Sequence, residues 1–522
     1  NGTDGFSEIT QTGDNIATVE QDGPSVGMNS EISQVNAGGG ASNSADVIQD
    51  GTGSGFGSGT GSFIDQSGVA GTAIIRQEAP TTDAVSLVIQ TGDTATATVT
   101  QVAGTNVTSL IEQADNDQIA TVSQDGDNNF SDITQSQNTN DANVSQTAAD
   151  NSSTILQDGE DGDVDVIQSG TGNTSFVDQD GNTDRGIVLI TQSGDGNSSV
   201  TFQDDDDSTI THTQSGNGNT ADTDQGSEDS ISTILQSGDD NIASVIQGDV
   251  SDDQTSTITQ SGNRNTARVL GQGVDSSGPG DDNNTSTITQ GGDDNFATVD
   301  QDSEDSTHTL TQTGNFNSSV TTQGLETDVA DNVTATITQN GDFDSSTINQ
   351  LDDDNTATVT QTGFDLDGSL LANTSTVNQE GSDNQATSDQ VGDNNSSFIG
   401  QSGSLNVANL ISGGTENSSG ITQSGTSNAS DVFQDGDGNS STTTQSGTDG
   451  VIDVDQVSDE SSSIVAQSGT LQDAVVSQTG GNNTSEVTQS TDSNFADIAQ
   501  ANSGNTAFAT QSGTDGMADG ER

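Results

Sequence analysis

Residues 214–247 read QSGNGNTADTDQGSEDSISTILQSGDDNIASVIQ and contain the repeat from which the architecture follows. Glutamine occupies positions 214, 225, 236 and 247, so it recurs every eleven residues. The same slot recurs through most of the chain, from Gln11 to Gln511. A unit this short cannot bury an apolar face alone. The repeat therefore predicts an array in which each unit stacks on its neighbours.

Within each repeat, residues alternate with a period of two. Counted from the glutamine, position -2 is usually Ile or Val, -4 is Ser or Ala, and -6 is often Asn. These positions share the glutamine's face of a β-strand, while Thr or Asp at -5, -3 and -1 lies on the other face. The segment 256–260, STITQ, shows this alternation. Clusters of Gly, Asp and Asn separate the strands, which predicts turns and excludes a long helix.

A finer pattern doubles the unit to 22 residues. Residues 214–221, QSGNGNTA, match residues 236–243, QSGDDNIA, whereas Gln225 is followed by Ser227 where Gly is expected. The sequence therefore predicts an all-β fold, a β-solenoid of about 21 stacked coils with two parallel strands per 22-residue repeat and loop insertions at the arcs. Gly at +2 is expected to supply a positive φ in the arc.

We expect residues 1–522 to form a single solenoid array. Its predicted parts are repeats at 7–511, a less regular region at 22–113 and a C-terminal tail at 512–522. The tail is the only segment expected to cover an otherwise open terminal strand edge. Intervals longer than eleven predict insertions at 22–66, 273–290, 324–339, 362–379 and 402–423. In the last interval, Ser412 stands where a glutamine is due.

The inward face of this solenoid would be rich in amides. A buried amide is costly alone, but in register each one can donate to the next rung and accept from the previous one, about 4.8 Å away. Glutamine suits this slot because one planar group carries both donor and acceptor. The predicted ladder residues are Gln203, Gln214, Asn219, Gln225, Gln236, Asn241, Gln247, Gln260, Gln290, Asn295, Gln301, Gln312, Asn317 and Gln323.

Composition excludes several classes of protein. Apolar residues make up 25% of the chain and the formal net charge is -76, which is typical of disorder, but a period kept over so many residues favours order. Five basic residues argue against binding to nucleic acid or anionic lipid. The chain has no cysteine for disulfides or thiolate metal sites, and no apolar run long enough for membrane insertion. No signal-like segment opens the sequence, so a secreted protein would have this sequence in its mature form.

The acidic arcs are candidate sites for Ca²⁺, which prefers carboxylate and carbonyl oxygens. The densest are Asp204, Asp205, Asp206, Asp207, Asp239, Asp240, Asp293, Asp294, Asp352, Asp353 and Asp354. Their spacing matches neither an EF-hand nor the calcium-binding nonapeptide, and a solvated acidic surface is the alternative. Carboxylates one rung apart repel by roughly 0.9 kcal/mol in water, which predicts a requirement for high salt or divalent ions and fits a saline habitat.

Other residues carry weaker signals. His212 and His308 have inward parity and are interpreted as substituted ladder residues, not catalysts. No nucleophile or zinc-site pattern is present, so the chain is predicted not to be an enzyme. Outward Thr pairs, at 257/259, 287/289 and 336/338, are compatible with a flat ice-binding face. The simpler interpretation is that Thr suits exposed strand positions, and Asp interspersed at the same positions of other repeats weighs against ice.

The repeats resemble the curlin repeats of curli, the secreted functional amyloid of bacterial biofilms. Residues 7–21, SEITQTGDNIATVEQ, carry the family's Ser, Gln, Gly, Asn, Ala and Gln in order, with a shorter gap between Ser and the first Gln. Residues 256–272 are a second close match, and the likeness recurs through most of residues 7–511. The chain departs from familiar curlins in its length, its lack of Tyr and its acidity.

The resemblance implies a subunit that is secreted unfolded and stacks end to end into extracellular fibres. It also implies that Ser, Gln and Asn form internal ladders, here at positions such as Gln214, Asn219 and Gln225. We therefore expect a homopolymer at the cell surface, with a nucleator subunit and secretion machinery as further partners. The alternative is a monomeric acidic β-solenoid surface protein, either an adhesin or a calcium-binding stalk.

Overall fold

The computed structural model describes residues 6–21, 28–36, 41–50, 61–181, 183–248, 252–272, 283–324, 330–363 and 372–521. The described residues form strands β1–β45 and contain no helix. Accordingly, they include no helix that is both long and apolar enough to cross a membrane. The chain divides into two compact units, Asn1–Asp253 and Gln254–Arg522, which are described separately.

The first unit consists of two parallel sheets whose strands alternate along the chain. One sheet contains β1 (Phe6–Thr12), β3 (Asn29–Val35), β5 (Gly61–Gln66), β7 (Val85–Gln90), β9 (Thr108–Gln113), β11 (Phe130–Gln135), β13 (Ser152–Gln157), β15 (Thr174–Gln179), β17 (Ser198–Gln203), β19 (Thr220–Gln225) and β21 (Ile242–Gln247). The other contains β2 (Ile16–Gln21), β4 (Ser44–Asp50), β6 (Thr72–Thr82), β8 (Thr96–Thr105), β10 (Ile119–Asp125), β12 (Asp141–Gln146), β14 (Asp163–Gln168), β16 (Ile187–Gln192), β18 (Thr209–Gln214) and β20 (Ile231–Gln236).

The second unit repeats this arrangement. One sheet contains β22 (Thr255–Gln260), β24 (Thr285–Gln290), β26 (Thr307–Gln312), β29 (Thr334–Gln339), β31 (Thr356–Thr362), β33 (Gln385–Val391), β35 (Val407–Gly413), β37 (Ala429–Asp435), β39 (Val451–Val457), β41 (Asp473–Gln478), β43 (Phe495–Gln500) and β45 (Met517–Glu521). The other contains β23 (Thr266–Gln272), β25 (Phe296–Glu304), β27 (Ser318–Gly324), β30 (Ser345–Gln350), β32 (Thr374–Glu380), β34 (Ser396–Ser402), β36 (Ser418–Gln423), β38 (Ser440–Gln445), β40 (Ser462–Gln467), β42 (Thr484–Gln489) and β44 (Thr506–Gln511). The short strand β28 (Ala330–Asp331) pairs with the end of β25.

The register follows the repeat. Strand β18 pairs in parallel with β20, which places Gln214 opposite Gln236, 22 residues further along the chain. An insertion leaves this register unchanged, since β22 pairs with β24 so that Gln260 lies opposite Gln290. Two strands make one turn, and the strands of both units amount to about 21 turns. The predicted all-β solenoid, with two parallel strands per turn, is therefore confirmed in each unit.

The interior of each unit is narrow and mixed in character. On β20, Ser232, Ile234 and Gln236 are buried, while the residues between them are partly or fully exposed. The Ile and Val residues at -2 form apolar rows, of which Ile190 and Val166 in the first unit are examples. Burying each such side chain stabilises the fold by roughly 1.5–3 kcal/mol. Their partners in the core are hydroxyl and amide groups, which must be hydrogen-bonded to be buried at low cost.

Glycine at +2 has a different role from the expected one in many arcs. Gly216 does not have a positive φ, and a Cβ there would overlap the carbonyl oxygen of Gly238 in the next coil. The expectation is wrong at Gly216 and holds at Gly126, where φ is 134°. The left-handed residue is regularly at +4, as at Asp240 with a φ of 56°. Glycine at Gly216 is therefore required by close packing of successive arcs.

The predicted insertions have mixed outcomes. Residues 402–423 contain no insertion, because β35 keeps the register with Ser412 in the glutamine slot. Strands β3, β4 and β5 lie within or across the predicted 22–66 insertion, so that segment adds rungs to the solenoid. The long parts of the other three intervals, 273–282, 325–329 and 364–371, lie outside the described residues, as do residues 51–60. Residues of the predicted tail form β45.

Candidate functional site

Two rows of glutamine amides run through the interior of each unit, one row per sheet. In the first unit, Gln214 Nε2 donates to Gln236 Oε1 at 2.9 Å, and Gln214 Oε1 accepts from Gln192 Nε2 at 2.8 Å. The remaining N–H of Gln214 donates to the carbonyl of Ser198 in the facing sheet at 3.0 Å. Each amide thus joins two rungs of its own sheet and also joins the two sheets. Its polar atoms are paired, so the penalty for burial is offset.

The second unit uses the same contacts. Gln290 Nε2 donates to Gln312 Oε1 at 2.9 Å, and Gln301 Nε2 donates to Gln323 Oε1 at 2.8 Å. The structure places all of the predicted glutamines in these rows, with their side chains buried: Gln203, Gln214, Gln225, Gln236, Gln247, Gln260, Gln290, Gln301, Gln312 and Gln323.

The rows have a direction. In the Gln–Gln contacts of the described residues, the nitrogen belongs to the earlier residue and the oxygen to the later one. Ser412 keeps this order at the substituted rung, because its hydroxyl donates to Gln434 Oε1 at 3.3 Å. Hydrogen bonds aligned in this way polarise one another, so the row is a cooperative element.

Asparagines at -6 form a second kind of ladder, which fastens strands to arcs. Asn219 Oδ1 accepts from the backbone N–H of Asn241 at 2.9 Å, and Asn219 Nδ2 donates to the carbonyl of Gly238 at 2.7 Å. In the second unit, Asn295 Oδ1 accepts from the backbone N–H of Asn317 at 2.9 Å. All four predicted asparagines lie in these rows and are buried. They satisfy backbone groups at the points where sheet pairing stops.

One aspartate occupies an asparagine slot. The backbone N–H of Asp344 donates to Asn317 Oδ1 at 2.8 Å, and Asp344 Oδ1 accepts from the backbone N–H of Asn373 at 3.2 Å. Asp344 Oδ2 is buried and has no hydrogen-bond partner among the described residues. Burial raises the pKa of Asp344 to about 6, from an ordinary value near 3.8. This rung therefore contains an incompletely compensated charge at neutral pH.

A third ladder, absent from the sequence prediction, uses Asp or Asn at +3 in the arcs. Asn217 Oδ1 accepts from the backbone N–H of Asp195 at 2.9 Å, and Asp239 Oδ1 accepts from that of Asn217 at 2.8 Å. In the second unit Asp293 Oδ1 accepts from the backbone N–H of Asn263 at 2.8 Å. These side-chain oxygens satisfy backbone N–H groups in the arcs, where sheet pairing has stopped. The sequence feature that could have predicted this ladder is the recurrence of Asp or Asn three residues after the glutamine.

The other carboxylates proposed for Ca²⁺ also have local roles. Asp206 Oδ1 accepts from the backbone N–H of Asp184 at 2.7 Å, Asp352 Oδ2 accepts from that of Gly381, and Asp353 Oδ1 accepts from that of Asp331 at 3.2 Å. The +4 aspartates have positive φ, a conformation that Asp tolerates better than most residues: Asp207, Asp240, Asp294 and Asp354. Asp204 and Asp205 lie on the same arc as Asp206.

Two of these aspartates face arginines on the preceding coil. Arg185 Nε donates to Asp207 Oδ1 at 2.6 Å, and Arg264 Nε donates to Asp294 Oδ1 at 2.8 Å. These hydrogen bonds lower the pKa of both carboxyls, but surface pairs of this kind add little stability. Across the described residues, no group of three or more His, Cys, Asp or Glu side chains is arranged to hold a metal ion.

Outward carboxylates stack directly on one another in parts of the sheets. Asp141 lies opposite Asp163 on neighbouring strands, and Asp165 follows on the same face. Partial burial, and then the neighbouring carboxylates, raise the pKa of Asp141 and Asp163. The same combination raises the pKa of Asp431 beside Asp453 in the second unit. These rows oppose stacking, since like charges on adjacent strands destabilise a sheet.

The two histidines are interior residues. His212 occupies an Ile/Val slot, with Ser199 Oγ 2.7 Å from Nδ1 and Thr223 Oγ1 2.8 Å from Nε2. The ring nitrogens of His308 are buried without a hydrogen-bond partner in the described residues. Burial lowers the pKa of both to about 3, so both rings are neutral. The inward placement matches their parity, and neither side chain reaches the surface.

Removing one ladder amide tests the energetic role of the rows. We expect Gln214→Leu to lower the urea midpoint of the first unit, because Gln192 Nε2 and Gln236 Oε1 each lose a buried partner, at about 1–3 kcal/mol per orphaned group. Circular dichroism across a urea series measures this. The control Thr213→Ala changes an outward side chain on the same strand. Equal midpoints for the two variants would contradict the ladder.

Asp344→Asn should stabilise the second unit above pH 6. A folded pKa above the unfolded value makes the parent progressively less stable as pH rises from about 4 through 6. The difference of about two pH units corresponds to roughly 3 kcal/mol, gained by Asn at pH 8 and largely absent at pH 3.5. Urea midpoints at both pH values test this. Asp383→Asn removes the same charge from an exposed arc, and an equal gain in that control would refute the buried-charge explanation.

Salt should stabilise the chain by screening the stacked carboxylates. We expect the thermal midpoint to rise with NaCl or CaCl2, and Asp163→Asn to raise the midpoint at low salt and to weaken its salt dependence. The control is Asp207→Asn, which removes a carboxylate paired with arginine and should not raise the midpoint. Full β-sheet circular dichroism with an unchanged midpoint in low salt and chelator would exclude this requirement.

Comparison with known proteins identifies a repeat family in the second unit. Four stretches of the second unit match the family model of the Curlin associated repeat: residues 282–314, 330–363, 372–409 and 459–490. A search of curated proteins finds no significant match. The matched stretches contain the glutamine rows and the paired strands described above, such as β24 with β26. Four stretches of the second unit are therefore Curlin associated repeats, and they are carried on a parallel β-solenoid fold.

Proposed function

We propose that this protein is a structural subunit of a secreted, curli-like extracellular fibre, part of a biofilm matrix, that polymerises by end-to-end strand stacking. The single observation that carries the proposal is the uniform contact between coils. Each coil meets the next through in-register strands, a directed Gln contact in each sheet and Asn or Asp bonds at the arcs. A coil of a second copy offers the same groups, so it can continue the series.

The direction of the ladders gives the proposed fibre a polarity. Amide nitrogens point toward later coils and amide oxygens toward earlier ones. A second copy therefore stacks head to tail, with Gln511 Nε2 donating to Gln11 Oε1 of the next copy. This contact is heterologous, and heterologous contacts that do not close into a ring produce open filaments.

The acidity of the chain fits a subunit that stays dispersed until conditions allow assembly. A net charge of -76 keeps copies apart at low ionic strength, and salt or divalent ions weaken that repulsion. We propose an extracellular location at the cell surface, with a nucleator and secretion machinery as partners, from the likeness to curlins. Ca²⁺ is proposed only as a screening ion. The buried amides and histidines support a structural role in place of a catalytic one.

A disulfide test distinguishes a fibre from isolated copies. The chain has no cysteine, so Thr10→Cys and Thr510→Cys place two thiols at outward positions beside Gln11 and Gln511. In a head-to-tail stack these residues are neighbours about 4.8 Å apart, which a disulfide can span. We expect a ladder of covalent multimers on a non-reducing gel when filaments form in high salt.

The control variant combines Thr10→Cys with Thr422→Cys. Thr422 is an exposed residue inside the second unit. This variant should give filaments of the same width without covalent multimers. Electron microscopy at increasing protein concentration supplies the companion measurement. Isolated particles at every concentration would overturn the fibre proposal and favour the monomeric adhesin or stalk.

A further inference from the structure

One sheet of the second unit contains a block of outward threonines. On β22, β24, β26, β29 and β31, each of the three outward positions is Thr. We call this block the threonine face: Thr255, Thr257, Thr259, Thr285, Thr287, Thr289, Thr307, Thr309, Thr311, Thr334, Thr336, Thr338, Thr356, Thr358 and Thr360.

The register aligns these residues in two dimensions. Thr257 lies opposite Thr287, Thr287 opposite Thr309, and the column continues through Thr336 and Thr358 without a shift. The columns at -5 and -1 are equally continuous. Adjacent strands are about 4.8 Å apart and alternate residues along a strand about 6.7 Å apart, so the block is a rectangular grid of methyl and hydroxyl groups.

The side chains of the threonine face are held in place, and their hydroxyl groups are not used for hydrogen bonds within the described part of the protein. Among the hydrogen bonds of the described residues, none uses a hydroxyl of the threonine face, although the backbone carbonyls of Thr285 and Thr307 accept from glutamine amides. Most of these side chains are half-buried by their neighbours, and β-branching restricts χ1. Little side-chain entropy remains to be lost on binding a rigid surface.

Charge is excluded from this face. Asp and Glu number 81 of 522 residues, yet none occupies its fifteen positions. Outward aspartates occur elsewhere, at Asp141 and Asp163 in the first unit and Asp300 on β25 of the second. Strand preference accounts for Thr at any single position. It does not account for the absence of carboxylates from a whole block in so acidic a chain.

We propose that the threonine face binds ice. An ion or a charged polymer would be recognised by charge, which the face lacks. Carbohydrate surfaces are commonly met by aromatic rings, and the chain has no Trp or Tyr. A crystal of water presents neutral rows of oxygen atoms with repeats of the same magnitude as the grid. The hydroxyls can join such rows by hydrogen bonds, while the methyls order the water between them. This binding is independent of fibre formation.

Ice-affinity partition of the full-length protein tests the proposal. A dilute solution is frozen slowly onto a cold probe, and protein is measured in the ice and in the remaining liquid. We expect enrichment in the ice, shaped crystals and inhibited recrystallisation. Thr309→Tyr places a bulky ring at the centre of the grid and should abolish enrichment. The control Thr347→Tyr makes the same change on the opposite sheet and should retain it.

Circular dichroism shows whether each variant folds. The unmodified protein tests the proposal even if a variant does not fold. A parent chain that is excluded from ice overturns the proposal, as does equal enrichment of folded Thr309→Tyr and parent. Microcrystalline cellulose is the comparison surface. Binding to cellulose without binding to ice would assign the face to a polysaccharide and also overturn the proposal.

Discussion

The hydrogen bond from one glutamine amide to the next is the interaction on which this architecture depends. Only 25% of the residues are apolar, so the narrow core must contain polar groups. A glutamine such as Gln214 is tolerated there because both of its N–H groups and its oxygen find partners. The amide therefore links successive coils and also links the two sheets. Parallel in-register stacking follows, because any shift by one residue would turn every amide toward solvent.

Electrostatics limits this arrangement. Stacked outward carboxylates, such as Asp141 and Asp163, oppose each added coil, while arc carboxylates such as Asp239 accept backbone N–H groups and close the arcs. The same residue type is thus unfavourable on the strands and useful in the turns. Asp344 shows the limit, since in an asparagine slot it has no amide N–H to donate. We therefore expect the stability of the fold to depend on salt and pH.

Sequence reasoning succeeded where the pattern is local. The parity of Gln236 and Ile234 predicted burial, and the 22-residue unit predicted the pairing of β18 with β20. It failed in the arcs, where Gly216 is required by contact with the next coil and not by its own φ. It also gave Asp239 no role beyond surface charge or metal binding. The backbone N–H that donates to Asp239 belongs to Asn217 in another coil. Such contacts are not visible in a single repeat.

The sequence by itself determined strand, turn and inward face, because alternation and an eleven-residue period are properties of neighbouring residues. Only the tertiary structure decided which strands become neighbours across insertions of different length, as where Thr257 meets Thr287 thirty residues along the chain. That pairing assembles a charge-free threonine grid from strands whose separate sequences show only a common preference. The physical reason is that side chains on a stacked sheet meet across coils, at distances along the chain that no local pattern records.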